Sequence, residues 1–175
     1  DGYIIPRARS VKNGNNWDKI LEAHFQAGYL GKVALAYESP LVAAVHCDVV
    51  LEGDEHHIYL GSKPEIHHFP ARDGKRGAIV GAYCSIQTTR GANIVAWKTK
   101  DQILEHAKGF SGSWSDRDGG FQKKSAWATN FAGMAKKTVF IEANKFAPAS
   151  ERARRANQVE DLISHGVDVR PERLD

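Results

Sequence analysis

From Leu41 to Lys98 the chain is a succession of strand-like runs broken by turn chemistry, and from Thr99 onward it is mainly helical. That order constrains the fold more than any other feature. Leu41 to Leu51 is rich in Val and Ala and reads as a buried strand. Glu52-Gly53-Asp54-Glu55 has the composition of a hairpin turn, with His56 to Leu60 as the return strand. Glu65 to Phe69 is a further short strand, ahead of the basic loop Arg72-Asp73-Gly74-Lys75-Arg76. Ala78 to Thr88 and Asn93 to Lys98 pair across Thr89-Arg90-Gly91-Ala92. Strands grouped together and then helices grouped together define an α+β fold. The expected architecture is a central antiparallel sheet with hairpins, flanked by helices.

The helices carry clear boundary signals. Thr99 opens one with a capping box, because Gln102 can return its hydrogen bond, and that helix ends near Gly109. Ser111 to Lys124, rich in Gly, Ser and Asp, reads as a long mobile loop holding Trp114 and Phe121. The next helix is predicted from about Trp127 to Phe146, stopping before Pro148. Phe131, Met134, Ala135, Thr138 and Val139 share one side of it, and Lys136 and Lys137 point away. Glu142 falls within the apolar stripe, where it either pairs with Lys145 or contacts another element. Ser150 can cap a last helix from Glu151 to His165, closed by Gly166 and followed by a polar tail.

At the other end, Tyr3 to Arg9 is a short apolar-then-basic segment and Lys12 to Asn16 is a turn. Trp17 to Phe25 reads as a strand. Gln26 to Ser39 reads as a helix whose Leu30, Val33, Ala34 and Tyr37 form one apolar face.

A chain of 175 residues suffices for one domain, and neither an internal repeat nor a second domain is visible. Residues 1–175 are read as a single core domain, with 151–175 as its terminal helix and tail. No apolar run approaches the roughly 20 residues of a membrane helix. The first residues carry no signal-peptide pattern and read as the middle of a fold. Cys47 and Cys84 lack metal or redox spacing and read as two buried thiols in a reducing cytoplasm.

Several chemistries find no support. Gly109-Phe110-Ser111-Gly112-Ser113 lacks the Gly-Lys-Ser/Thr ending of a phosphate loop, so ATP binding has no motif. No Ser or Cys sits in a nucleophile elbow, and no residue is assigned a catalytic role. His56-His57 and His67-His68 keep a metal-dependent nuclease or hydrolase open as an alternative. Strand alternation gives each pair one imidazole per face, so a site would need one His from each strand plus Asp54 or Glu55. No metal-ligand spacing accompanies them, and no metal residue is assigned.

Charge is more telling in its distribution than in its net of +3. Lys123, Lys124, Lys136, Lys137 and Lys145 lie in a stretch whose single acid is Glu142. Trp114, Phe121 and Trp127 interleave with them. Lysines neutralise phosphates and aromatic faces stack bases or pack the loop, so this stretch suits a polyanion such as a nucleic acid, with a merely solvated charged face as the alternative. A Trp at a helix entrance is usually a core staple, and Trp127 is expected to position the helix.

These residues resemble a known family. Trp127, then Gly133-Met134-Ala135-Lys136-Lys137-Thr138, then Lys145-Phe146-Ala147-Pro148-Ala149-Ser150 are similar to the core end of the RecT/Redβ family of phage-type single-strand annealing proteins. Gly2-Tyr3-Ile4-Ile5-Pro6, Gly28-Tyr29-Leu30-Gly31-Lys32, Val49 to Glu55 and Gly81-Ala82-Tyr83 fall in family order. The likeness covers Gly2 to Ser150. Ile141 and Glu142 stand where the family usually has a basic pair, which lowers the positive charge of the helix. On this resemblance, the family's helices before the Pro segment are expected to be absent from this sequence, and its carboxyl-terminal partner-binding segment to be absent or reduced to the tail.

The resemblance implies ATP-independent binding and annealing of single-stranded DNA in phage-type homologous recombination, by a protein that is not an enzyme. It also leaves open a degenerate member that lacks annealing activity. It implies rings or helical filaments holding single strands and then the annealed duplex in a basic groove. Stacking supplies about 1.4 kcal/mol per step, so annealing needs no nucleotide hydrolysis. No cofactor is required, although a divalent cation such as Mg can accompany the DNA. A phage exonuclease and a host single-strand-binding protein are the implied partners, in the cytoplasm of a bacterial host and away from membranes. The expected backbone contacts are Lys123, Lys124, Lys136, Lys137 and Lys145, with Arg7, Arg9, Arg90 and Lys98 as a second group.

Overall fold

The computed structural model describes residues 2–14, 16–72, 74 and 76–164. The expected closure at Gly166, the polar tail, and the side chains of Arg7 and Arg9 lie outside the described residues. In chain order the elements are β1 (Gly2–Asn13), β2 (Asn16–Ala27), α1 (Tyr29–Tyr37), β3 (Val42–Leu51), β4 (Glu55–Tyr59), β5 (Glu65–Phe69) and β6 (Ile79–Thr88). They continue with β7 (Asn93–Thr99), α2 (Lys100–Phe110), β8 (Trp114–Ser115), β9 (Gly120–Phe121), α3 (Ala126–Thr129), α4 (Phe131–Asn144) and α5 (Glu151–Ser164). Antiparallel sheets with several helices make this an α+β protein. The chain divides into two compact units, 1–39 with 149–175, and 40–148.

In the first unit β1 and β2 form a long antiparallel hairpin with Asn13 opposite Asn16. Gly14 turns it at φ 59°, a conformation that favours glycine. Pro6, opposite Ala23, lacks an N–H and is tolerated because each strand of a two-stranded ribbon has an open edge. β2 runs on to Ala27, so α1 starts at Tyr29 and not at Gln26 as expected. The expected apolar face of this helix is also corrected: Leu30, Ala34 and Tyr37 are exposed, and Ala36 is the buried position. α1 packs against α5, where Ala153 is buried and Arg152 Nη1 donates to Glu38 Oε1 at 2.9 Å. Ser150 Oγ accepts from Ala153 N–H at 3.0 Å, the expected cap.

In the second unit β6 is the central strand of a three-stranded antiparallel sheet, order β3-β6-β7. α4 lies on this sheet with α2 beside it. Val50, Cys84 and Ile86 from the sheet, Ile103 from α2 and Val139 and Phe140 from α4 are fully buried and form the core. Cys47 stands opposite Cys84 without a disulfide between them, and it is half-buried where full burial was expected. Gly81 stays bare because a side chain there would meet the Trp97 ring and come within 2.7 Å of the Lys98 carbonyl oxygen.

Three expectations are corrected here. β4 pairs with β5 and not with β3, whose partner is β6. The turn residue Asp54 is buried and gathers partners distant in sequence, so the chain leaves β3 without folding straight back on it. The stretch read as a mobile loop holds the small ribbon β8–β9, closed by Trp114 against Phe121 at 5.0 Å between ring centres. The long helix from Trp127 is broken at Asn130 (φ −146°, ψ 63°), whose side chain accepts from Gly133 N–H and caps α4.

Candidate nucleic-acid interface

Thr99 and Gln102 form the expected reciprocal capping box, which fixes the start of α2 at the end of β7. The chain then runs through the β8–β9 ribbon to α3, where Ser125 Oγ accepts from Ala128 N–H at 3.3 Å. An aromatic series ties these segments together. Trp114 meets Phe121 edge-on, Phe121 stacks on Trp127 at 5.5 Å and 14°, and Trp127 leans on Phe131 at 6.0 Å. Lys108 Nζ lies 5.1 Å from the Trp114 ring centre, a cation–π contact between α2 and the ribbon. Trp127 is 8% exposed, so its ring packs the α3–α4 corner.

α4 is oriented by two ion pairs that cross the sheet. Lys136 Nζ lies 3.4 Å from Asp48 Oδ1 on β3, and Lys98 Nζ on β7 lies 2.8 Å from Glu142 Oε2. Both are partly solvated and contribute at most about 1 kcal/mol each, so they set orientation more than stability. They also resolve the alternatives for Glu142: its partner is Lys98 and not Lys145. Lys136 is therefore directed to the sheet, although it was expected to point away from it.

A cleft of about 370 Å³ opens between α2 and α4. Trp127, Met134 and Ile141 give it apolar walls, Phe110 and His106 stand on the α2 side, and Lys137 and Lys145 supply positive charge. Among the described residues neither lysine has an ion-pair partner, and the one acid in the lining, Glu142, is held by Lys98. Of the other candidates, Lys123 and Lys124 are exposed in the turn after β9, and Arg90 is exposed in the turn between β6 and β7. Lys98 and Lys136 are engaged with acids. The structure thus gathers Lys137, Lys145 and Trp127 at one cleft, and Lys123, Lys124 and Arg90 stand on turns.

Sequence reasoning missed Phe110 and His106. By helical spacing Phe110 follows Ile103 and Ala107 on one face and reads as core, whereas in the structure it is exposed.

The histidine pairs have a different use. His56 faces His68 and His57 faces His67 across the β4–β5 hairpin. Asp54, buried between them and the sheet, accepts from Arg76 Nε (2.8 Å) and Nη2 (2.6 Å) and from the amides of Leu51 (2.9 Å) and Ala71 (3.0 Å). Its Oδ2 lies 3.0 Å from His68 Nε2, and His68 Nδ1 lies 3.2 Å from the Tyr83 hydroxyl. The Arg76 guanidinium, the Leu51 amide, His68 and the Ala71 amide hold the Asp54 carboxyl well below the usual carboxylate range, against the opposing effect of burial. Burial first, then the Asp48 charge, pushes the Tyr83 hydroxyl up to about 12. Arg76 occupies the carboxylate that a metal would need. No group of three metal-ligating side chains occurs among the described residues, and the hydrolase alternative has no site there. No helix among the described residues is long and apolar enough to cross a membrane.

The cleft thus sets two lysines beside apolar and aromatic walls on an α+β scaffold. The RecT family model matches residues 1–171, and the chain belongs to the RecT family. It is similar to Protein RecT of Escherichia coli (strain K12), with 26% identity over 162 residues, or 91% of this chain and 56% of that protein. The chain thus spans little more than half the length of that relative.

Proposed function

We propose that this protein binds single-stranded DNA through its sugar–phosphate backbone and promotes annealing of complementary strands, without nucleotide hydrolysis, in phage-type homologous recombination. The observation that carries the reading is the pair Lys137 and Lys145, without acidic partners among the described residues, on an apolar and aromatic cleft. Membership of the RecT family supports it. Lysine heads neutralise phosphates without reading bases, which leaves base edges available to a second strand. Lys123, Lys124 and Arg90 extend the contact, and Lys98 and Lys136 position α4.

Self-association belongs to the same reading. Paired positions on one face of the β1–β2 hairpin include Ile4, Leu21 and Trp17, all strongly exposed. An apolar sheet face of this kind suits a second copy of the chain. Rings or filaments would repeat the lysine cleft along the strand. The reading places the protein in the bacterial cytoplasm, working with an exonuclease that supplies single strands and with the host's single-strand-binding protein. It acts as a binding protein with no covalent step. Mg would accompany the DNA, and no residue is assigned to hold it.

The test is the double variant Lys137→Ala, Lys145→Ala, measured by fluorescence anisotropy on a dye-labelled oligonucleotide from about 50 to about 500 mM salt. Each phosphate contact contributes a log–log slope of about −0.7, so the double variant is expected to flatten the slope by about 1.4. Its affinity near 0.1 M salt is expected to fall roughly 25-fold. An unchanged slope and affinity would remove this cleft as the DNA site.

A further inference from the structure

We propose that the cleft between α2 and α4 holds one unstacked base of the bound single strand, with Phe110 as its stacking face and Lys137 and Lys145 on the neighbouring phosphates. The inference rests on the single-strand reading above and adds a base-holding site to it.

The first observation is Phe110. It is the last residue of α2 and is 83% exposed, where a ring of this size is normally withdrawn from water. It is nevertheless supported: the His106 ring lies 4.8 Å away and 32° from parallel. The ring is held in place on a helix end and still lines the cleft. Trp127, by contrast, is stacked on Phe121 and has little free face to offer.

The second observation is size and lining. About 370 Å³ lies at the small end of the range for ligand sites, which suits a single base with its sugar. The walls from Met134 and Ile141 are apolar, which suits a flat heterocycle. The third is charge. Lys137 and Lys145 are set about 12 Å apart along the helix by its rise. Both line the cleft, and the charge of Glu142 is taken by Lys98. Apolar walls, an exposed ring and two ammonium groups without acidic partners among the described residues together match a nucleotide within a strand.

Stacking on one ring is tolerant of base identity, so the site would grip any sequence. The cleft takes one base per chain, and the remaining bases keep their edges open to a complement. A base already paired in a duplex cannot enter the cleft, so the stacking contact acts on single strands.

The experiment compares the full chain with Phe110→Ala, Phe110→Leu and Phe110→Trp, using a dye-labelled oligothymidine and a duplex of equal length across the same salt range. Phe110→Ala is expected to lose roughly tenfold in single-strand affinity, the lower part of what removal of one stacking face costs. Its salt slope and its duplex affinity should not change, because no phosphate contact is lost. Phe110→Leu keeps bulk without a π face and should resemble Phe110→Ala, while Phe110→Trp should match the parent chain.

Parent-like affinity in Phe110→Ala or in Phe110→Leu would overturn the base pocket. Such a result beside a weakened Lys137→Ala, Lys145→Ala variant leaves the single-strand reading intact. A parent chain that fails to bind the oligonucleotide sinks both. Smaller particles with unchanged single-strand affinity would assign the cleft to a neighbouring subunit, and would also overturn the base pocket.

Discussion

Asp54→Ala is expected to lose about 3–5 kcal/mol of stability, the cost of leaving a buried charge partner uncompensated. For a chain of this size that lowers the melting temperature by roughly 10 °C or more. The side chain is fully buried and accepts from two nitrogens of Arg76, from His68 and from the amides of Leu51 and Ala71. Truncation leaves all of these donors without their acceptor. It also releases His68 from one side, so the link through Tyr83 that holds the β4–β5 hairpin to β6 loosens.

The pH dependence has a definite sign. The Asp54 carboxyl titrates lower in the folded chain than in the unfolded one. Its contribution is therefore complete above the unfolded value near about 4 and is lost as pH falls below it. Tyr83 works in the other direction. Its raised value gives a contribution that is present below about 10 and is lost as pH rises through about 12. Thermal melts of parent and variant between about pH 3 and about pH 8 check the first claim: the gap between them should shrink on the acid side. A constant gap would contradict the assignment.

Phe140→Ala is expected to cost about 3–5 kcal/mol by the combined loss of burial and creation of a cavity. Phe140 is the largest fully buried side chain and sits in α4 against the sheet. The two ion pairs that cross the same interface could replace only a small part of this. The consequence for function follows from the position. α4 carries Lys137 together with Met134, Thr138, Ile141 and Glu142 of the cleft wall, so loosening it should reduce single-strand affinity even though Phe140 touches no solvent. Denaturant unfolding and oligonucleotide binding on the same sample check both effects. A variant as stable as the parent would contradict the packing of α4 on the sheet.

Signals that act over a few residues were legible. Thr99 with Gln102, Ser150 before α5, and the pairing of β6 with β7 across a short turn depend on neighbours in sequence, and each is found as expected. Asn130 is a local signal too, a capping residue, but the apolar period continues across it and hides the break. The misread elements are those settled by distant partners. Asp54 does close a turn, its N–H on the Leu51 carbonyl, but its side chain is held by Ala71 and Arg76, which no local pattern announces, and the turn does not make a hairpin of β3 and β4. Leu30 looked like core because its period is helical, yet burial falls on Ala36. At the candidate site the lysines were visible as charge. Their sorting into Lys98 and Lys136 with acidic partners, and Lys137 and Lys145 without any among the described residues, depends on Glu142 and Asp48, which lie on different elements. Phe110 shares the helical spacing of Ile103 and Ala107, so its exposure is set by tertiary packing and is not legible in the sequence.

The central claim is annealing without nucleotide. The direct measurement mixes two complementary oligonucleotides, one with a donor dye and one with an acceptor, and follows energy transfer with and without the protein in nucleotide-free buffer. The account predicts faster annealing with the protein, an advantage that fades with salt and is reduced in Lys137→Ala, Lys145→Ala. A rate equal to the protein-free rate, at concentrations where the single strands are bound, would contradict it.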